Sequence, residues 1–236
     1  DLGSNQIHPQ SIGINWNGDL SIAEKMIKKA KECNCDAVKF QSFTELQVKD
    51  HPEKKMLVKA SISKENIEQI NQLAKNSNIE WFCTPMFDDA VDLLNPYVEK
   101  FKMRHFDGIQ LLKNTKTSLF EKILNTGKEI IISTEESPEN CTFYKNEQIK
   151  WLYVVPKYPC SFTDLDFTKL NKFDGYSNHC PHFLAPLKAS ILGSRIVEVH
   201  VTLDKSGHYI DNAVSFDFQE LQFLVDLIKK SEQIKN

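Results

Sequence analysis

Short apolar runs alternate along this chain with amphipathic segments, and the alternation is regular enough to predict elements. Eight runs read as strands: 11–15, 36–41, 79–84, 99–103, 129–134, 151–155, 174–178 and 195–201. Six segments between or after them read as helices: 20–33, 63–76, 87–94, 116–126, 182–192 and 217–231. The first helix places Ile22, Met26, Ile27 and Ala30 on one stripe behind Asp19, a natural N-cap. The second opens at Ser63. Gly127 and Gly193 follow two helices, where a left-handed C-terminal cap is expected. Residues 135–150 are polar and lack helical spacing, so the fifth connection reads as a loop or a single turn.

Eight strands with intervening helices in 236 residues predict a single α/β domain over 1–236, a (β/α)8 TIM barrel. A doubly wound open sheet is the rival. It would normally carry a glycine-rich phosphate turn after its first strand, and no GxGxxG occurs among the eight glycines. There is no internal repeat, low-complexity tract or interdomain linker.

Composition removes several classes. The formal charge is −3 and the basic residues are dispersed, which argues against a nucleic-acid partner. No apolar run has the length of a membrane span, and the N-terminal stretch does not read as a signal peptide. The six cysteines form no CxxC pair. They read as reduced thiols of a cytoplasmic protein, and a zinc ribbon is disfavoured.

Barrel chemistry gathers where strands end, so the polar residues at those ends matter most. They are Lys39 and Gln41, Thr84, Lys102, Ser133 and Thr134, then Ser177 with Asn178 and His179, and finally His200. Two lysines and several hydroxyls at one mouth would form an anion site. Bare, the two ammoniums would repel, which favours a phosphate or carboxylate ligand. His179 and His200 end neighbouring strands, and their imidazoles could share one divalent ion. Each residue alone has a plainer reading. Lys39 could snorkel or pair with Glu32 or Asp36, Lys102 could lie on an exposed edge, and Ser133 and Thr134 could cap a turn. His179 could sit in a polar loop, and His200 could be a satisfied core histidine. Their coincidence at one end of successive strands favours a site.

The motifs that carry these residues resemble those of the sialic acid synthase family, which includes N-acetylneuraminate, legionaminic and pseudaminic acid synthases. The resemblance runs from about residue 10 to 218. It rests on "IGINWNGD", "DAVKFQ", "FCTPMFDDAVDLL", "KFKM", "GKEIIIST", "YP" at 158–159, "GYSNH", "VEVHVTLD" and "YIDNAVSFDFQEL". It implies a TIM barrel that condenses phosphoenolpyruvate with an N-acyl hexosamine or its phosphate. Carried over by position, Lys39, Thr84, Lys102, Ser133 and Ser177 would hold phosphoenolpyruvate, and Asp211 would contact the sugar. Gln41, Thr134 and Tyr158 join the expected substrate contacts. Lys39, Lys102, Asp107 and Asp211 are the expected catalytic groups. His179 and His200 would hold a divalent metal, manganese in most of the family.

The chain departs from the family pattern on the acceptor side. Ser11 stands where the family has a glutamate and Trp16 where it has a histidine. Arg104, His105 and Asp107 replace the pattern after the fourth-strand lysine, Glu135 replaces a glycine, and Pro156 replaces a polar residue. The family's C-terminal antifreeze-like domain, through which its members form domain-swapped dimers, is not in the sequence, and a homodimer through the barrel is left as an open reading. The acceptor is expected to differ from N-acetylmannosamine, or activity to be lost. Two further readings stay open: a non-catalytic barrel binding an anionic sugar or phosphate, and a Schiff-base lyase or aldolase using Lys39 or Lys102.

Overall fold

Lys39 sits between Val38 and Phe40, and the three side chains divide between two environments. Val38 and Phe40 are fully buried in the hydrophobic core, whereas Lys39 and Gln41 line a central cavity. Side chains alternate across a strand, so one face meets the helices and the other the barrel interior. This computed structural model describes residues 10–234. The N-terminal stretch read as lacking a signal peptide lies almost wholly outside them.

The strands are β1 (Gln10–Gly13), β2 (Ala37–Ser42), β3 (Glu80–Pro85), β4 (Lys100–Met103), β5 (Glu129–Thr134), β6 (Ile149–Val154), β7 (Gly175–Ser177) and β8 (Ile196–Val201). Each pairs in parallel with the next, and β1 closes the ring against β8 through Gln10↔Val199 and Ser11↔His200. The architecture is the expected (β/α)8 barrel. A two-residue strand, β9 (Ser215–Phe216), extends β8 at His200↔Ser215. It is too short to carry a period in sequence.

The helices are α1 (Leu20–Glu32), α2 (Lys54–Ala60), α3 (Ile67–Asn76), α4 (Asp88–Leu94), α5 (His105–Leu112), α6 (Ser118–Leu124), α7 (Leu184–Ile191) and α8 (Phe218–Ser231). In α1 the Asp19 carboxylate accepts the amides of Ser21 and Ile22 at 2.7 and 3.4 Å. Its stripe of Ala23, Met26, Ile27 and Ala30 is buried. Helix α8 begins with a capping box between Asp217 and Glu220 and buries Leu221, Leu224, Val225 and Ile228.

The fifth connection holds only a 3-10 turn at Pro138–Asn140, as its polar composition implied. Two helices were not predicted, α2 and α5. The first is one short stretch in a polar connection, and the second starts straight after β4 with no capping side chain. Helix α3 begins at Ile67, not Ser63. Asn66 takes the turn before it, accepting the Ser63 amide and donating to the Ser61 carbonyl. Gly127 and Gly193 both adopt positive φ, +73° and +100°, at helix ends. No helix among the described residues is long and apolar enough to cross a membrane. All six cysteines are buried, and none forms a disulfide among the described residues.

Trp16 belongs to the core rather than the site. Its indole N–H donates to the Ala60 carbonyl at 3.0 Å, and its ring meets Phe40 edge-on at 6.1 Å. Residue 16 thereby ties the β1–α1 turn to the end of α2.

Candidate functional site

A cavity of about 430 Å³ opens among the C-terminal ends of the strands. Lys39 and Gln41 of β2, Thr84 of β3, Lys102 of β4 and Ser133 of β5 line it, with Ser177 of β7 and Glu198 and His200 of β8. Tyr158, His179 and Asp211 join from the loops after β6, β7 and β8. Ten of the twelve residues expected from sequence therefore meet in one space.

The floor is a salt-bridged cluster. Lys39 Nζ lies 3.0 Å from Glu198 Oε1, which also accepts the Ser177 hydroxyl at 2.8 Å. Lys102 Nζ donates to the Ser133 hydroxyl and to the Met103 carbonyl. Lys39, Lys102 and Glu198 are 5%, 2% and 2% exposed, so their charges interact with little screening. Burial pushes the Lys102 amine down to about 8, helped by the Lys39 charge and opposed by Glu198. Burial also works to raise the Glu198 carboxyl, but Lys102, Lys39 and the Ser177 hydroxyl outweigh it and hold the group at about 2.

Glu198 is the charged cavity residue that sequence reasoning missed. The partner of Lys39 is neither Glu32 nor Asp36, and the two lysines do not face each other bare. The signal was present in strand alternation: Glu198 lies two residues before His200 and so shares its face.

The two imidazoles line the same cavity, with ring centroids 5.6 Å apart. His179 Nδ1 is 2.9 Å from the Val155 carbonyl. A carbonyl only accepts, so the proton sits on Nδ1 and leaves Nε2 open as an electron-pair donor. Burial, reinforced by His200, lowers the His179 pKa to about 4, keeping it neutral at physiological pH. His200 Nδ1 faces the Asp211 carboxylate at 3.2 Å and the Tyr158 hydroxyl at 3.1 Å. Tyr158 is partly exposed, yet its hydroxyl reaches inward to His200. Burial, with Asp211 nearby, pushes that phenol well above its ordinary range.

Asp211 is fixed from several sides. Its backbone N–H donates to the Asn15 side-chain oxygen at 3.0 Å, and its carbonyl accepts the Ser215 hydroxyl at 2.7 Å. Asn15 in turn donates to the Val201 carbonyl and to Ser215. Gly13 sits at φ +55°, where a Cβ would come within 3.2 Å of Asp211 Oδ2, so the close approach of β1 favours glycine. Burial opposes ionisation of Asp211, but the His200 hydrogen bond holds its carboxyl below the ordinary value.

Two expected site residues do not line the cavity. Thr134 follows the inward-facing Ser133 and so falls on the opposite face of β5, where its hydroxyl donates to the Glu136 carbonyl at 3.0 Å. Asp107 lies in the first turn of α5 and binds Arg104, Nε to Oδ2 at 2.9 Å and Nη2 to Oδ1 at 3.3 Å. Arg104, His105 and Phe106 take the cavity wall on that side. Pro156 also lines the wall, while Ser11 is buried with no hydrogen-bond partner for its hydroxyl among the described residues.

The donor set suits a divalent ion with open positions. Two imidazole nitrogens are close, and Asp211 buttresses one of them as a hydrogen-bond partner. No cluster of three His, Cys, Asp or Glu side chains among the described residues forms a closed protein cage. Such a pair fits an ion whose remaining positions are filled by water or substrate oxygen.

A profile of the NeuB family matches residues 26–236, and the chain belongs to that family. An uncharacterized protein of Methanocaldococcus jannaschii is 32% identical over 94% of this chain and 69% of its own length. The N,N'-diacetyllegionaminic acid synthase of Legionella pneumophila is 27% identical over 94% of this chain and 71% of its own. Among solved structures, the N-acetylneuraminic acid synthetase of Leptospira borgpetersenii in complex with citrate superposes with a TM-score of 0.82. It is 25% identical, with 95% of this chain and 82% of that one covered.

Proposed function

We propose that this protein condenses phosphoenolpyruvate with the open-chain aldehyde of an N-acyl aminosugar, giving a sialic-acid-like nonulosonic acid and phosphate. The observation that carries the reading is the meeting of Lys39, Lys102, Ser133 and Ser177 with His179 and His200 in one cavity. In this reading Lys39, Lys102, Thr84, Ser133 and Ser177 hold the phosphate and carboxylate of the donor. Gln41, Tyr158 and Asp211 face the acceptor, with Asp211 accepting from a sugar hydroxyl. A divalent ion, manganese by preference, held by His179 and His200 would supply Lewis-acid polarisation of the aldehyde oxygen.

C3 of the donor attacks the aldehyde carbon, water adds to C2, and phosphate leaves with cleavage of the C2–O bond. The lysines neutralise the charge that phosphate carries away, and the buried floor restricts bulk water to the mouth. Cytoplasmic residence belongs to the same proposal, and six buried cysteines outside any disulfide support it. Phosphate release with manganese and a panel of N-acyl hexosamines and their phosphates tests it, with chelator and Lys39→Ala controls. Metal-dependent release with one sugar, lost in Lys39→Ala, is the expected result. No release across the panel would overturn it.

The depressed Lys102 amine supports a second reading, a Schiff-base aldolase. Borohydride trapping of a keto acid on Lys102 would favour that reading. Metal-dependent turnover without trapping would remove it.

A further inference from the structure

Glu198 is an anion built into a site otherwise arranged for anions. Its Oε1 engages Lys39 and Ser177, at 3.0 and 2.8 Å. Its Oε2 is buried with no hydrogen-bond partner among the described residues. A carboxylate present only to pair a lysine would be expected to satisfy both oxygens, because an unpartnered buried oxygen forfeits its hydration with nothing in return. Lys39 and Ser177 are also two of the groups assigned to the donor. Any incoming anion must therefore compete with Glu198 for the same ammonium and the same hydroxyl. Lys102 is not tied up in this way, since its Nζ donates to Ser133 and the Met103 carbonyl.

We infer that Glu198 is a specificity-determining residue, an internal counter-anion that yields Lys39 only to ligands carrying a phosphate together with a carboxylate. This rests on the reading of the cavity as a phosphoenolpyruvate site. A lone carboxylate replaces one carboxylate–lysine contact with an equivalent one and leaves Glu198 buried beside a new negative charge. A ligand with two anionic groups reaches Lys39 and Lys102 together, so the second contact offsets that repulsion. Glu198 thus turns a floor that would accept any small anion into one that rejects monocarboxylates.

The test is calorimetric titration of the full chain with pyruvate, inorganic phosphate and phosphoenolpyruvate, without sugar or metal. Wild type should bind phosphoenolpyruvate at least about 100-fold more tightly than pyruvate, and Glu198→Gln should bind pyruvate and phosphate about tenfold more tightly than wild type does. The ratio between phosphoenolpyruvate and pyruvate should shrink accordingly. Glu198→Asp keeps the charge and should keep that ratio within about threefold, which provides a second readout if the glutamine variant fails to fold. An unchanged ratio in a folded Glu198→Gln protein, or weaker binding of all three anions, would overturn the inference. So would loss of discrimination in Glu198→Asp. Selective binding in wild type without product from any acceptor would sink the synthase reading and leave this one standing. Absence of all binding in wild type would end both.

Discussion

Asp211 Oδ2 stands 3.2 Å from Nδ1 of His200, and both side chains are buried. The carboxylate orients the ring and raises the electron density at its other nitrogen, as a hydrogen-bond partner of a metal-binding histidine does. Asp211→Asn keeps the shape and removes the charge. Manganese affinity, read by calorimetry or by the electron paramagnetic resonance of the free ion, should fall about 10–100-fold. Neither residue is among the groups assigned to the donor, so binding of phosphoenolpyruvate in metal-free protein should stay within a few-fold of wild type.

Asp107 was expected to act on substrate, but it holds Arg104 from behind the cavity wall. Asp107→Asn should therefore change how the acceptor is held more than the chemistry itself. The expected signature is a several-fold rise in acceptor KM with kcat reduced less than about tenfold. Loss of a general acid or base would cost about 10²–10⁴ in kcat. Steady-state kinetics with the acceptor varied at saturating donor separates the two.

The barrel was legible because eight apolar runs recur at intervals that admit a helix or turn between them, and because strand ends collect the polar residues. What escaped had a physical reason in each case. Helices α2 and α5 are short and lack side-chain N-caps, so neither periodicity nor capping marked them. Thr134 was placed in the site by adjacency to Ser133, although alternation sends neighbours to opposite faces. Glu198 was overlooked despite obeying that same alternation from His200. Trp16 occupies a position that the resemblance associates with a site histidine, and only its contacts with Ala60 and Phe40 reveal it as core.

Those contacts make Trp16 a stability determinant. Trp16→Ala removes a fully buried indole, the edge contact to Phe40 and the hydrogen bond to Ala60. Loss of such a side chain costs about 3–5 kcal/mol. Urea unfolding should show the unfolding free energy falling by that amount, with metal and anion affinities of the folded fraction little changed. An equal loss of manganese affinity without loss of stability would place residue 16 in the site instead.

Acid should destabilise the fold in two successive stages, and the responsible groups are identifiable. His179 has its pKa lowered from 6.5 to about 4, chiefly by burial. Between those values the unfolded chain binds a proton that the folded one refuses, so stability is full above 6.5 and falls as pH drops towards 4. One proton contributes at most about 1.4 kcal/mol per pH unit, less whatever screening the partly open ring receives. Glu198 is lowered from 4.5 to about 2, and its contribution is present above 4.5 and lost as pH falls through that second window. Urea unfolding of the metal-free protein from pH 7 to pH 3 should show both declines. His179→Gln should flatten the decline between pH 6.5 and 4 and leave the lower one in place. A slope in the upper window that persists in His179→Gln would assign the transition to another group.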